Sequence, residues 1–428
     1  LRQVTLGRTR PIETSKDAWN RHSDGRCFRL EAIRRAEARL REDTKGVRDE
    51  IGFLFLHQAY ADRFFPGTSV QQTRLRYALF VPWIYEKISA IEGQRRRQQP
   101  IEKFVLDEEV RLTGRLLASG ERDGVIGPRV WPQRRASSQP ATMVYWSALG
   151  AWGILRRLED NSLPARSSGH RMLARDWRRA HVRDEEGIPI EEAHSLFVAL
   201  PKPPDGWKNQ AAPLTFKLTE EESLFLKRQI LTTRRQGSAE PSLFARLAGD
   251  PGAAQPAKNA WDKAVVTVAD QEDKAALGRA RRAAAISAIG RAVYSYLAEE
   301  LRDRRDRLST SDRHRNYLPT ILQRHQQAAL DLDIPAMTQD ASALPDFFVA
   351  VLNETQRWLR DPRDPMQLLD LYAAAERRRK GNRARLVSTP LGRQRRAEWD
   401  NEQHPLAEPL HYRWARVHRM LGDLEEHD

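Results

Sequence analysis

Residues 273–307 carry the longest run of helical spacing in the chain, with Leu277, Ile286, Ile289, Val293, Leu297 and Leu301 recurring on one face. Comparable periods predict helices over 317–332, 343–359, 365–379 and 410–424. Thr219-Glu220-Glu221-Glu222 ahead of Leu224 and Leu226 has the form of a capping box. In the first half, helices are expected over 28–42 (Leu30, Ile33, Ala36, Leu40), 49–64 and 101–118, with a short one carrying Tyr145, Trp146, Leu149 and Trp152. A further helix is expected from about Val70, capped by Thr68 or Ser69 and kinked or split at Pro82. Strand patterns are few and no fixed repeat occurs. The expected fold is therefore mainly α and multi-helical, with two helical lobes forming a basic groove. Its expected parts are an extended basic arm (1–26), an N-terminal helical domain (27–160), an irregular Pro-rich connector (161–215) and a C-terminal helical domain (216–428).

Composition narrows the function. Of 428 residues, 40% are apolar, enough for a substantial core. The 72 basic side chains outnumber the 58 acidic ones, giving a net charge of +14, and 60 of the basic residues are Arg. A GC-rich genome explains Arg over Lys but not basic over acidic. The surplus favours polyanionic partners, nucleic acid above all, through phosphate neutralisation and counterion release. The longest run of aliphatic and aromatic residues, 77–85, is interrupted by Pro82 and is too short to span a membrane. Cys27 is alone, which excludes an intrachain disulfide and any cysteine-rich metal site. With no secretory signal pattern after Leu1, the expected location is cytoplasmic. Phosphate-loop, dinucleotide-fold, zinc-protease and nucleophile-elbow signatures are all missing. His411 and His418, seven residues apart without an acid in register, make a poor metal site. Neither a metal nor an organic cofactor is expected.

The densest chemistry lies in residues 48–85. Asp49, Glu50 and Asp62 are the candidate catalytic carboxylates. Pro66-Gly67-Thr68-Ser69 is a tight turn expected to open a helix whose free N–H groups face an incoming phosphate. Arg63, Arg74 and Arg76 stand close enough to neutralise the same strand, with Thr68 and Ser69 as further contacts. Tyr60, Tyr77, Tyr145 and Trp146 offer flat surfaces for an unstacked base, and Gln58 and Gln72 are polar partners for it. Arg134 and Arg135 in one basic loop, and Arg383 and Arg385 in the run 377–385, complete the expected DNA contacts. Each feature also has an ordinary structural reading: aromatic residues as core, Asp62-Arg63 as a helix-end ion pair, and the basic runs as solvated surface.

At these residues the chain resembles a bacterial family of unknown function often encoded in phage-defence neighbourhoods. The likeness rests on Asp49-Glu50-x-Gly52-Phe53, on Ala61-Asp62-x-Phe64-Phe65-Pro66-Gly67-Thr68-Ser69, and on Thr73-Arg74-x-Arg76-Tyr77 leading to Phe80-Val81-Pro82-Trp83-Ile84-Tyr85. Gly124-Val125-Ile126-Gly127, Tyr145-Trp146, Lys380-Gly381-x-Arg383-Ala384-Arg385-Leu386 and Leu410-x-Tyr412-Arg413-Trp414 continue it. The resemblance implies an antiviral DNA glycosylase that flips out and excises a glucosylated hydroxymethylcytosine, so the implied partner is double-stranded phage DNA with modified bases. Cleaving an N-glycosidic bond passes through an oxocarbenium-like sugar, which one carboxylate beside C1′ can stabilise. Asp62, one turn before the Pro-Gly-Thr-Ser segment, is the first choice; Asp49 and Glu50 are reserves. The alternatives are a non-enzymatic nucleic-acid-binding component of a defence system and a nuclease holding a metal on the same three acids.

Overall fold

A computed structural model describes residues 50–91, 99–179, 195–208, 212–341 and 344–427. The expected arm, the helix over 28–42, Cys27 and Asp49 lie outside the described residues. The chain is mainly helical, 60% helix; among the described residues no sheet forms, and the only β-pairings are isolated bridges such as Leu155 with Phe197. The first half holds α1 (Phe53–Phe64), α2 (Tyr77–Ser89), α3 (Ile101–Ala118), α4 (Trp146–Ala151) and α5 (Arg166–Arg179). There follow α6 (Glu220–Leu231), α7 (Leu243–Gly249), α8 (Lys263–Val268), α9 (Gln271–Glu300) and α10 (Arg313–Leu330). The chain ends with α11 (Ile334–Asp340), α12 (Asp346–Trp358), α13 (Leu369–Lys380), α14 (Pro390–Ala397) and α15 (Trp414–Glu425). No helix among the described residues is long and apolar enough to cross a membrane.

The periodic stretch forms the axis of the molecule. Its 30 residues span about 45 Å at 1.5 Å per residue. Asp270 caps it by accepting the Asp273 N–H at 2.8 Å. Alanines at 276, 280, 283, 284, 288 and 292 are buried, and their small side chains let α10, α1 and α12 approach closely. At Gly290 the approach is closest: a Cβ there would lie 2.2 Å from Cζ of Phe53, the first residue of α1. Gly290→Ala is therefore expected to destabilise the fold by about 1–3 kcal/mol through overpacking, although alanine is the better helix former. Urea unfolding checks this, and Phe53→Leu in the same background should recover part of the loss.

Several expected elements differ in detail. The second sequence-predicted helix begins at Phe53 rather than residue 49, because Gly52, with φ of 145°, sets the turn that precedes it. The helix expected from Val70 begins only at Tyr77, and Pro82 neither splits nor ends it. Thr68 does not cap it. Its hydroxyl instead donates to the Phe65 carbonyl at 2.7 Å, and residues 70–76 form turns and irregular chain before α2. The connector contains α5, whose spacing is obscured by its many Arg residues. Thr219 and Glu222 form the expected capping box, with bonds of 3.3 and 3.2 Å. Hydrophobic contacts run in one cluster from Ile51 to Leu424, drawing on both predicted lobes.

Glu109 on α3 illustrates how polar groups brace this core. Its carboxylate accepts the N–H groups of Ala141 at 3.0 Å and Thr142 at 2.8 Å, fixing the start of the chain segment that leads to Tyr145. Burial, only partly offset by those bonds, pushes its pKa up to about 7. Between about pH 4.5 and 7 the native state keeps a proton that the unfolded chain has released, so this group's contribution to stability falls as pH rises. The loss is about 3 kcal/mol across that window. Subtracting the pH profile of Glu109→Gln from that of the wild type, by urea midpoints from pH 4.5 to 7.5, should isolate this downward slope.

Candidate functional site around Asp62 and Arg413

The two candidate carboxylates among the described residues, Asp62 and Glu50, part company in three dimensions. Asp62, in the last turn of α1, is surface-facing, with 54% of its side chain exposed. Glu50 precedes the same helix and is buried at 9% exposure, facing Lys380 and, at 3.3 Å, the Arg385 guanidinium. Nine helical steps from Phe53 to Asp62, about 14 Å at 1.5 Å per residue, lie between them along α1. They cannot act on one bond, and of these two Asp62 is the exposed one.

What positions Asp62 comes from the far end of the chain. Arg413, itself 4% exposed, donates from Nη1 to Asp62 Oδ1 at 2.6 Å and to the Thr68 carbonyl at 2.7 Å. It thus joins the carboxylate to the turn that follows α1. Next to it, Arg416 donates to the Val70 carbonyl at 3.1 Å, so α15 is stitched along the 66–70 segment. The backbone supporting Arg413 is unusual. Tyr412 and Arg413 are successive non-glycine residues in the left-handed region, with φ of 47° and 64°. Such strain persists only where surrounding contacts enforce it. Here the Tyr412 ring is buried, with its hydroxyl donating to the Ala280 carbonyl at 2.8 Å, and the Arg413 N–H donates to Nδ1 of His411 at 3.1 Å.

A buried imidazole lies under this corner. His57 on α1 is fully buried, with its ring centroid 5.0 Å from His411 and 5.9 Å from Tyr412. Neither of its nitrogens has a hydrogen-bond partner among the described residues. Burial, reinforced by the charges of His411, Arg413 and Arg291, holds its pKa well below the ordinary histidine value, so the ring is neutral. No three His, Cys, Asp or Glu side chains among the described residues converge as a metal site.

The other sequence-predicted residues are placed as follows. Arg74 is bound by Asp423 at 2.8–2.9 Å and lies over the Phe216 ring. Arg76 is buried, donating to Glu222 at 2.7 Å and to the Thr215 carbonyl at 2.9 Å. Arg63 reaches Glu272 at 2.7 Å and Asp273 at 3.5 Å. Gln72 is buried and braces the turn, accepting the Ser69 N–H at 3.0 Å and donating to the Gly67 carbonyl at 3.0 Å. Gln58 is half-buried on α1. Tyr60, Tyr77 and Tyr145 are core residues in this conformation. The Tyr60 hydroxyl donates to Asp340 at 3.1 Å, and burial followed by the Asp340 charge holds its pKa far above the ordinary value. The Tyr77 hydroxyl accepts the Ile126 N–H at 2.9 Å. The Tyr145 hydroxyl accepts from Thr73 and Arg74 at 2.9 and 3.1 Å and donates to the Arg74 carbonyl at 2.7 Å. Trp146 is half-buried, with its indole N–H donated to the Pro164 carbonyl at 2.8 Å. Arg134 and Arg135 are exposed, as is Arg383, while Arg385 is tied to Glu50.

The structure thus brings Asp62, Thr68 and Ser69 together and adds Arg413 and His57, which residue-type reasoning had not selected. Arg413 was visible only as part of the Leu410-x-Tyr412-Arg413-Trp414 string. His57 left no signal, since an isolated histidine in an apolar helix reads as core.

Fold and site together define a multi-helical protein with a surface carboxylate fixed by a buried arginine. The chain belongs to DUF6361, a family of unknown function whose model matches residues 27–316. No curated protein and no solved structure matches it.

Proposed function

We propose that the protein is an anti-phage DNA glycosylase that excises a modified cytosine, glucosylated hydroxymethylcytosine, and leaves an abasic site. The observation that carries this reading is Asp62: an accessible carboxylate whose position is set by a buried guanidinium, beside a turn rich in backbone and hydroxyl groups. In the proposed reaction the bond between C1′ and the base nitrogen breaks. Its electron pair leaves with the base, which takes up a proton from solvent. Asp62 stabilises the cationic sugar and accepts a proton from the water whose oxygen adds to C1′. Arg413 is a positioning residue, holding one carboxylate oxygen so that the other faces the sugar. The resemblance to a family found in phage-defence neighbourhoods supplies the substrate class; the net charge of +14 agrees with a DNA partner.

The test is mass spectrometry of small molecules released when purified protein meets glucosylated phage DNA and, in parallel, unmodified DNA. Free modified base together with alkali-labile sites in the first sample alone is the expected result. Salt-sensitive binding with no base released would instead favour a non-enzymatic DNA-binding component. A specific observation speaks for that second reading: Arg74 and Arg76 are engaged by Asp423 and Glu222, and Tyr77 and Tyr145 lie in the core.

A further inference from the structure

Elsewhere in the fold, three segments meet: the π-helical turn Leu301–Arg305 with the two residues after it, the end of α13 with the turn Gly381–Arg383, and α14. Residues 301–307, 376–385 and 390–398 hold 13 basic and four acidic side chains, so they account for +9 of the chain's +14. Two kinds of arginine divide the work. Arg396 is buried at 1% exposure and clamps the segments together, donating to Asp306 at 2.6 and 2.9 Å, to the Val387 carbonyl at 3.1 Å and to the Arg385 carbonyl. Arg302 likewise donates to the carbonyls of Arg396, at 3.3 Å, and Trp399. Three others, Arg307, Arg383 and Arg393, are exposed and have no carboxylate partner among the described residues; Arg393 donates only to the Asp306 carbonyl at 3.3 Å. Arg305 is exposed beside them and donates to Ser388.

Gathering like charges on a surface braced from beneath is unfavourable without a counter-charge, and the guanidinium fork matches phosphate oxygens in geometry. We infer that this face docks the phosphodiester backbone of duplex DNA. The inference rests on the proposed function for the choice of DNA, and it adds a surface that function did not require. Arg385 joins this face to Glu50, just before α1, the helix whose last turn carries Asp62. Most of the face lies beyond residue 316, outside the family match.

The experiment uses the full chain and a labelled glucosylated duplex, with Kd measured across a salt series. The triple variant Arg307→Gln/Arg383→Gln/Arg393→Gln is compared with a charge-matched control, Arg157→Gln/Lys202→Gln/Arg228→Gln, made at exposed positions elsewhere. The face variant should bind about 10- to 100-fold more weakly near physiological salt, with a salt slope shallower by about 2 to 3, while the control changes little. Circular dichroism and unfolding midpoints matched to wild type establish that the loss is local. An unchanged slope, or equal losses in both triples, overturns the docking face. Base release is scored separately at saturating DNA. Release with an unchanged slope retires the face and keeps the glycosylase, whereas a changed slope without release from wild type does the reverse.

Discussion

Asp62→Asn is expected to lower base release from glucosylated phage DNA by about 100- to 1000-fold, the usual cost of losing one electrostatic stabiliser of a charged transition state. Asparagine keeps the side-chain shape and an oxygen for the Arg413 N–H, so the corner should stay built. With the Asp62 side chain 54% exposed, the lost ion pair contributes about 1 kcal/mol or less to stability. DNA affinity should hold as well. The measurement is single-turnover formation of alkali-labile sites at saturating enzyme, beside a salt titration of binding. Undiminished turnover would remove Asp62 from the chemistry. Glu50→Gln is a useful contrast: its carboxylate is buried against Lys380 and Arg385, so its replacement should disturb stability rather than the chemical step.

Arg76→Met should cost about 3–5 kcal/mol of stability, the largest effect expected of any single change argued above. Glu222, 2% exposed, would be left as a buried charge without its ion-pair partner among the described residues. The Thr215 carbonyl would also lose its donor. Glutamine at 222 can still serve the capping box with Thr219, so Arg76→Met/Glu222→Gln should recover more than half of the loss. Urea unfolding of the two single variants and the double variant gives the coupling energy. A cost below about 1 kcal/mol would mean that the pair contributes little and would return Arg76 to the list of groups able to meet a phosphate.

Much of the helical framework was legible because it follows from short-range rules. The spacing of Leu277, Ile286, Ile289 and Val293 marks α9, and Thr219 with Glu222 marks the start of α6. Residues 101–118 form the expected α3 end to end. The errors share a cause: local signals that tertiary contacts overrode. Thr68 and Ser69 look like caps, yet Gln72, Arg413 and Arg416 hold residues 66–70 as a turn, and α2 waits until Tyr77. Pro82 looks like a breaker, yet it sits in a helix buried on nearly every side.

The candidate site was only half legible. Residue type singled out Asp62 and the Pro-Gly-Thr-Ser turn, and both lie together at the surface end of α1. Which arginine holds them could not be read locally, because Arg413 is 351 residues from Asp62 and earns its position through the left-handed backbone at Tyr412 and Arg413. The same distance problem separates Arg307 from Arg383 and Arg393. Chain order alone sufficed for the helical class and the basic surplus, since these depend on composition and on neighbours within a few turns. Whether a charged side chain is spent on an internal partner or left to meet a ligand is a matter of long-range packing, and there Arg74 and Arg76 went inward while Arg383 stayed out.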